Sequence, residues 1–279
     1  MSTLTVEPVD ASTRLNKNYS TVFEFEKSFN YKEQITWFEN NWTLSFTCCA
    51  VYVVVIFGLQ TWMQNRPRYN LQYALTAWSL MLAMFSWICA LRLIADCYFF
   101  VSQYGWKASM CDPVFYKGVS GFWCWLFVLS KLPELGDTIF IVLRKQRLIF
   151  LHWYHHITVL LYSWYSYSHY IAPGRYFILI NACVHAIMYT YYAIRASKIA
   201  RIPSWINISI TSIQIIQMIV GCWVNIYAYM LLRRGEHCST TQDNIKYASL
   251  MYFSYFMLFA HFFYKTYINR DMPKKIHKE

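Results

Sequence analysis

The chain is short of charge. Only 14% of its 279 residues are Asp, Glu, Lys or Arg, against about 25% in an ordinary soluble domain, and that shortfall excludes a cytosolic globule. Eight Gly and seven Pro exclude collagen-like and low-complexity chains. No C-x-x-C pair occurs among the nine Cys, so a zinc framework has no support. The first forty residues are polar and hold no short apolar stretch ahead of a cleavage-like site, so no signal peptide is expected. What abounds is apolar and aromatic: 57% of residues are hydrophobic, and 24 Tyr, 20 Phe and 12 Trp make up 20%. The net charge of +11 would suggest nucleic acid in a soluble protein. In a membrane protein it points to anionic lipid or a phosphorylated substrate at the cytosolic face.

Long apolar runs predict seven transmembrane helices over residues 43–63, 72–101, 118–143, 148–167, 175–196, 204–232 and 246–268. The connectors between them are short and polar, so the expectation is one all-α polytopic membrane domain without internal repeats. It covers residues 43–268, with a lumenal N-terminal tail at 1–42 and a basic cytosolic tail at 269–279. Phe25, Phe29 and Phe38, set among acidic residues, suit a short interfacial helix within that N-terminal tail. Arg92 and Asp96 inside the second run are expected to pair with each other.

Orientation follows from loop cations. Arg66, Arg68, Arg144, Lys145, Arg147, Arg195, Lys198 and Arg201 fall on one side, joined there by the C-terminal tail. Fewer lie in the opposite loops, so the N-terminus is expected in the lumen and the C-terminus in the cytosol. Cys111 and Cys238 alone lie in polar segments. Both fall on the lumenal, oxidising side, which predicts a disulfide between them. The sequon at Asn18 falls there too and is a candidate glycosylation site. Lys275 and His277 in the last five residues form a candidate reticulum-retrieval signal; a solvated basic tail is an equal reading.

Ionisable groups inside a span are costly and mark function by default. His152, His155 and His156 sit at i, i+3 and i+4 and so share a helix face. Lys131, Glu134 and Asp137 sit three apart around Pro133. Asn181, His185, Tyr189 and Tyr192 form a stripe in the fifth span, and Thr211, Gln214 and Gln217 another in the sixth. Each stripe is either interhelical glue or a substrate contact. By the charge-derived orientation, all four clusters lie at one depth near the cytosol. They imply a polar chamber under an almost wholly apolar lumenal half, a shape suited to a charged head and a long apolar tail. Arg144, Lys145 and Arg147 are expected to ring its entrance and meet phosphates. His261 reads as a core residue; His169, His237 and His277 read as peripheral.

Taken together, Lys131-x-x-Glu134-x-x-Asp137-Thr138, His152-x-x-His155-His156, Asn181-x-x-Val184-His185-x-x-Met188-Tyr189-x-Tyr191-Tyr192 and Thr211-x-x-Gln214-x-x-Gln217 resemble the motifs of the very-long-chain fatty acid elongases. The stretch from Arg144 to His156 resembles the branch that extends saturated and monounsaturated chains of palmitoyl length. The resemblance implies an endoplasmic-reticulum 3-ketoacyl-CoA synthase with six helices ringing an acyl tunnel closed at its lumenal end. It joins long-chain acyl-CoA to malonyl-CoA, releases CO2 and CoA, and uses no cofactor or metal. His155 is the favoured nucleophile, forming an acyl-imidazole. His185 stands beside it, His152 and His156 act as base or orienting groups, and the other polar motif residues contact substrate. The alternative keeps all the histidines as acid–base groups and transfers the acyl group directly. Partners would be the bilayer, the reductases and dehydratase of the cycle and possible copies of the same chain; nucleic acid is not expected. Two rival functions share features with this pattern. A membrane di-iron desaturase or hydroxylase also has His-x-x-His-His, but this chain has eight His and only one such box. A seven-helix receptor shares the topology without needing clustered His.

Overall fold

A computed structural model describes residues 19–269. Among the described residues every regular element is helical. Two short helices, α1 (Glu24–Lys27) and α2 (Tyr31–Asn41), precede α3 (Leu44–Trp62) and α4 (Gln72–Cys111). A 3-10 turn at Pro113–Tyr116 leads to α5 (Gly118–Glu134) and α6 (Gly136–Leu143). Then come α7 (Phe150–Ser168), α8 (Gly174–Ser197), α9 (Ser204–Arg233) and α10 (Gln242–Phe263), the last continued by a π turn at Tyr264–Ile268.

Each apolar run thus falls on helix. Four helices, α3, α4, α8 and α9, are long and apolar enough to cross a membrane. The other three runs differ for chemical reasons. The run at 118–143 is divided at Leu135, so α5 has 17 residues and α6 eight. Pro133 has no N–H to donate, and the chain tightens there: Leu135 N–H bonds Leu132 O and Thr138 N–H bonds Leu135 O, an i to i−3 pattern. Helix α7 carries three imidazoles and several hydroxyls, and α10 opens on Gln242, Asp243 and Asn244, which lower their mean hydropathy. The second run does not stop at residue 101. Helix α4 continues to Cys111 across a break at Gly105, whose φ of 80° and ψ of 171° suit glycine alone.

Packing follows the apolar faces. Helix α4 lies along α8, α8 along α9, α9 along α10, α10 along α7, α7 along α5, and α5 along α4. Helix α3 packs outside this sequence, on α6 and α7. Gly221 lets α9 and α10 come close, since a Cβ there would stand 2.3 Å from the Tyr252 ring. Two large buried clusters result, beside a small one at Leu82, Ala83 and Tyr189. One large cluster holds Phe38, Trp123, Trp164 and Tyr167; the other holds Met218, Val224, Tyr252 and Tyr255.

The N-terminal segment is fastened rather than merely laid on a surface. Phe38 of α2 is fully buried against Trp164 and Tyr167 of α7. Glu26 of α1 is also fully buried, accepting from Trp123 Nε1 at 2.7 Å and pairing with Arg92 Nε at 3.2 Å. Arg92 therefore does not pair with Asp96. Asp96 faces Arg175 Nε at 3.8 Å and accepts from Ser120 Oγ at 3.2 Å. These groups correct the expectation of an almost wholly apolar far half: an unbonded apolar environment would not tolerate them, so the fold brings carboxylate and guanidinium together.

At that end Cys111 and Cys238 form the expected disulfide. Ser239 N–H donates to Cys111 O at 3.1 Å and Ala172 N–H to Ser239 O at 2.7 Å, tying three loops together. Lys107 and Glu236 pair beside them. Asn18 and the C-terminal residues Lys275 and His277 lie outside the described residues.

Candidate active site

Helix α7 builds the centre of the site. Its first turns present His152, His155 and His156, with ring centroids 4.6 Å apart for His152 and His156 and 5.4 Å for His155 and His156. His156 is buried, and its Nδ1 has no hydrogen-bond partner among the described residues. His155 lies 5.0 Å from the Tyr255 ring, whose hydroxyl donates to His155 O at 3.2 Å.

The Pro133 turn supplies two arrangements. Before it, Lys131 and Glu134 form a buried pair: Lys131 Nζ donates to Glu134 Oε1 at 2.8 Å and Oε2 at 3.0 Å. Lys131 also donates to Asn181 Oδ1 at 3.3 Å, and Ser130 Oγ donates to Glu134 at 2.8 Å. His185 Nδ1 stands 3.8 Å from Glu134. The pair therefore joins the lysine motif to α8. After the turn, Asp137 accepts from Trp78 Nε1 and from Tyr189 OH, each at 2.7 Å. Gly136 permits this approach, because a Cβ there would be 2.8 Å from the Trp78 ring. Thr138 meets His152 Nε2 at 3.0 Å.

These groups surround a cavity of about 450 Å³. It is lined by Asp137, the three α7 histidines, Asn181, His185, Tyr189, Tyr192, Thr211, Gln214 and Gln217. All four sequence clusters thus meet in one space. Lys131 and Glu134 stand behind its wall, reaching it through Asn181 and His185. A second, narrow cavity of about 60 Å³ runs on from the first. It is lined mainly by rings and aliphatics, among them Phe127, Tyr162, Tyr167, Phe177 and Tyr252, with Tyr116, Ile171 and Gly174 also on its wall. His155, Asn181, Gln217 and Met218 line both cavities.

Three expected residues are not brought to this place. Arg144, Lys145 and Arg147 do not line the cavity; Lys145 donates to Gln64 O at 3.0 Å and borders a separate groove beside Met63 and Val142. The α6–α7 loop turns toward the α3 end, with Tyr69 N–H bonded to Leu143 O. Among the described residues Arg195, in the last turn of α8, is the Lys or Arg on the cavity wall, held by a 2.8 Å bond to Tyr191 OH. Sequence reasoning counted it only as a loop charge. Its place on the stripe was visible: it lies three residues beyond Tyr192. Tyr255 and Tyr267 were missed as well, because among 24 tyrosines neither stood out. His261 is exposed rather than core, as are His169 and His237. Among the described residues no group of three His, Cys, Asp or Glu is disposed to hold a metal ion.

A family model described as ELO, the GNS1/SUR4 family, matches residues 37–275. The chain belongs to this family. It is 49% identical over 264 residues to a very long chain fatty acid elongase 6 of Drosophila melanogaster, covering 93% of this chain and 83% of that protein. It is 50% identical over 249 residues to the Homo sapiens protein of the same name, covering 89% and 93%. With a very long chain fatty acid elongase 3 of Homo sapiens the identity is 40% over 271 residues, covering 97% and 98%. The resemblance carried by the four motifs is therefore one of membership, and membership makes the chain an acyl-transferring condensing enzyme.

Proposed function

We propose that the protein condenses a long-chain acyl-CoA with malonyl-CoA, yielding 3-ketoacyl-CoA, CO2 and CoA, in the endoplasmic reticulum membrane. The observation that carries this reading is the position of His155, at the junction of a polar cavity and a narrow aromatic one. The narrow, mostly apolar cavity suits an acyl chain, and the polar cavity suits the thioester and the start of the CoA arm. An imidazole at the junction meets the carbonyl carbon that separates the two.

The reaction divides in two. A His155 ring nitrogen attacks the thioester carbon, the C–S bond breaks and CoA leaves as the thiol. Malonyl-CoA then loses CO2, and its C2 attacks the acyl-imidazole carbon, breaking the C–N bond and restoring the imidazole. In this reading Asn181 and His185, both on the cavity wall, stabilise oxygen charge, and the Lys131–Glu134 pair holds both in register.

Supporting a ring of six helices is the closed series of neighbours from α4 through α8, α9, α10, α7 and α5, with α3 as the seventh span outside it. The loop cations favour a lumenal N-terminus, a cytosolic C-terminus and a cavity mouth toward the cytosol. The disulfide end is then lumenal, as its chemistry prefers. The 3-keto product requires two reductases and a dehydratase to complete a cycle, and those are the partners this reading needs, with homo-oligomers as a further possible assembly.

Purified protein given radiolabelled malonyl-CoA and a panel of acyl-CoAs should release labelled CO2 and form 3-ketoacyl-CoA. Acyl-CoA alone should leave an acyl adduct detectable by intact-protein mass spectrometry. Turnover without an adduct would replace the covalent step by direct transfer; no turnover with any acyl-CoA would remove the reading.

A further inference from the structure

His152 has a polar neighbour that the reaction above does not use. Its Nε2 lies 3.0 Å from Thr138 Oγ1, and Thr138 Oγ1 lies 2.6 Å from the hydroxyl of Tyr52. Tyr52 belongs to α3, outside the series of six helices. Both hydroxyl residues are buried, Thr138 fully and Tyr52 to 5% exposure. Neither hydroxyl has another hydrogen-bond partner among the described residues.

Counting protons fixes the direction of this chain. It contains two hydroxyl hydrogens and one imidazole nitrogen. Tyr52 can donate only to Thr138. Thr138 can then donate only to His152 Nε2, which must accept with a bare lone pair. If Nε2 carried the proton instead, two donors would face Thr138 Oγ1 and one hydrogen would be left without an acceptor, in a place where water cannot replace it. Neutral His152 therefore carries its proton on Nδ1. That atom has no protein partner among the described residues, and His152 lines the polar cavity.

We propose that Tyr52 and Thr138 are positioning residues that hold His152 as its Nδ1–H tautomer, so that it meets substrate as a hydrogen-bond donor and not as a base. The oxygen it serves is a CoA thioester carbonyl, which gains negative charge as nitrogen or carbon attacks. His155 and His185 are free of this hydroxyl pair and keep the nucleophilic and oxygen-stabilising roles given above. Helix α3 thereby gains a chemical task that its place outside the other six would not suggest.

The inference rests on the condensing reading for the identity of the oxygen, but the tautomer can be read without turnover. Protein labelled with 15N-histidine and held in lipid nanodiscs should show, for the resonance that disappears in His152→Ala, a protonated Nδ1 and an unprotonated Nε2. Thr138→Val removes the donor. It should lower kcat by about 10- to 100-fold, the scale known for partners that fix the tautomer of metal-binding imidazoles, with KM unchanged and the tautomer released. Thr138→Ser keeps the hydroxyl and should restore most of the rate. Tyr52→Phe removes one oxygen with little change of shape. It should populate both tautomers and lower kcat less, and it decides the matter if the valine variant fails to fold. A wild-type His152 protonated on Nε2 would overturn the proposal, as would a folded Thr138→Val protein turning over at the wild-type kcat. If the wild type does not condense its substrates at all, the reaction assignment fails separately, and the 15N spectrum still decides the tautomer.

Discussion

The two ends of the helical bundle bury polar groups in opposite ways. Around His155 the polar side chains are spread over α5 to α9, bond one another in pairs, and leave a cavity between them. Around Cys111 the chain is tied together: a disulfide, two backbone bonds between loops and the Lys107–Glu236 pair join the segments next to Ile171. Arg175 is buried there over the Phe100 ring, at 4.2 Å, with Asp96 as its counter-charge. The first region invests its polarity in a space that another molecule can enter, the second in excluding one. A tunnel that takes an acyl chain needs both, since an open far end would admit water and lose any measure of chain length.

The largest effect expected is chemical. His155→Ala should lower condensation by on the order of 10⁴-fold or more, the scale seen when a catalytic nucleophile is deleted, and should abolish any acyl adduct while the protein still purifies as a folded species. A variant that retained full activity would move the nucleophile elsewhere in the open region.

Breaking the buried pair tests whether that region is also held together by its charges. Lys131→Met leaves Glu134 buried without its partner and should cost about 3–5 kcal/mol of stability, seen as a lower unfolding midpoint in detergent. The closed region should respond less: Cys111→Ser should cost about 2–5 kcal/mol and leave the catalytic rate of surviving protein near wild type. Non-reducing peptide mapping of the wild type should recover Cys111 and Cys238 joined.

Gly174 sharpens the comparison at the tunnel floor. A Cβ at this position would meet the Tyr116 hydroxyl at 3.4 Å and the Phe115 ring at 3.5 Å, ordinary contact distances. Gly174→Ala should therefore fold, narrow that end and shift the preferred acyl-CoA to a shorter chain, measured across an acyl-CoA series at fixed malonyl-CoA. An unchanged preference would place the end of the tunnel elsewhere. The smallest effect belongs to the rim. Arg195→Gln should raise KM for the CoA substrates about 5-fold, as expected for losing about 1 kcal/mol from an exposed ion pair, whereas Lys145→Gln, away from the cavity, should not.

Much of this architecture is local and therefore legible in the chain. Apolar runs of bilayer length specify helices whatever their neighbours do, and i, i+3, i+4 spacing places His152, His155 and His156 on one face of α7. The Pro133 break follows from a missing N–H. Even the disulfide followed from the sequence, because only Cys111 and Cys238 stand in polar segments.

What the sequence could not decide were choices among equivalent partners. Arg92 and Asp96 are one helical turn apart and have opposite charge, so pairing them is the local answer. The fold instead offers Arg92 the buried Glu26, and Asp96 the buried Arg175, since each long-range pair rescues a carboxylate that would otherwise lie alone in an apolar surround. Arg195 reached the cavity in place of Arg144, Lys145 and Arg147 because the α6–α7 loop turns toward the groove beside α3, a path set by contacts with residues 64–69. The Tyr52–Thr138–His152 chain joins residues 86 and 14 positions apart, and nothing in the spacing of α3 marks Tyr52 among its apolar neighbours. The sequence by itself determined which segments are helical and which faces carry costly polar groups, because hydrophobic burial and backbone bonding act within a segment. Which of those groups meet, and which way their protons point, depended on how the helices pack, because hydrogen bonds and ion pairs are satisfied only by atoms brought within about 3 Å of each other.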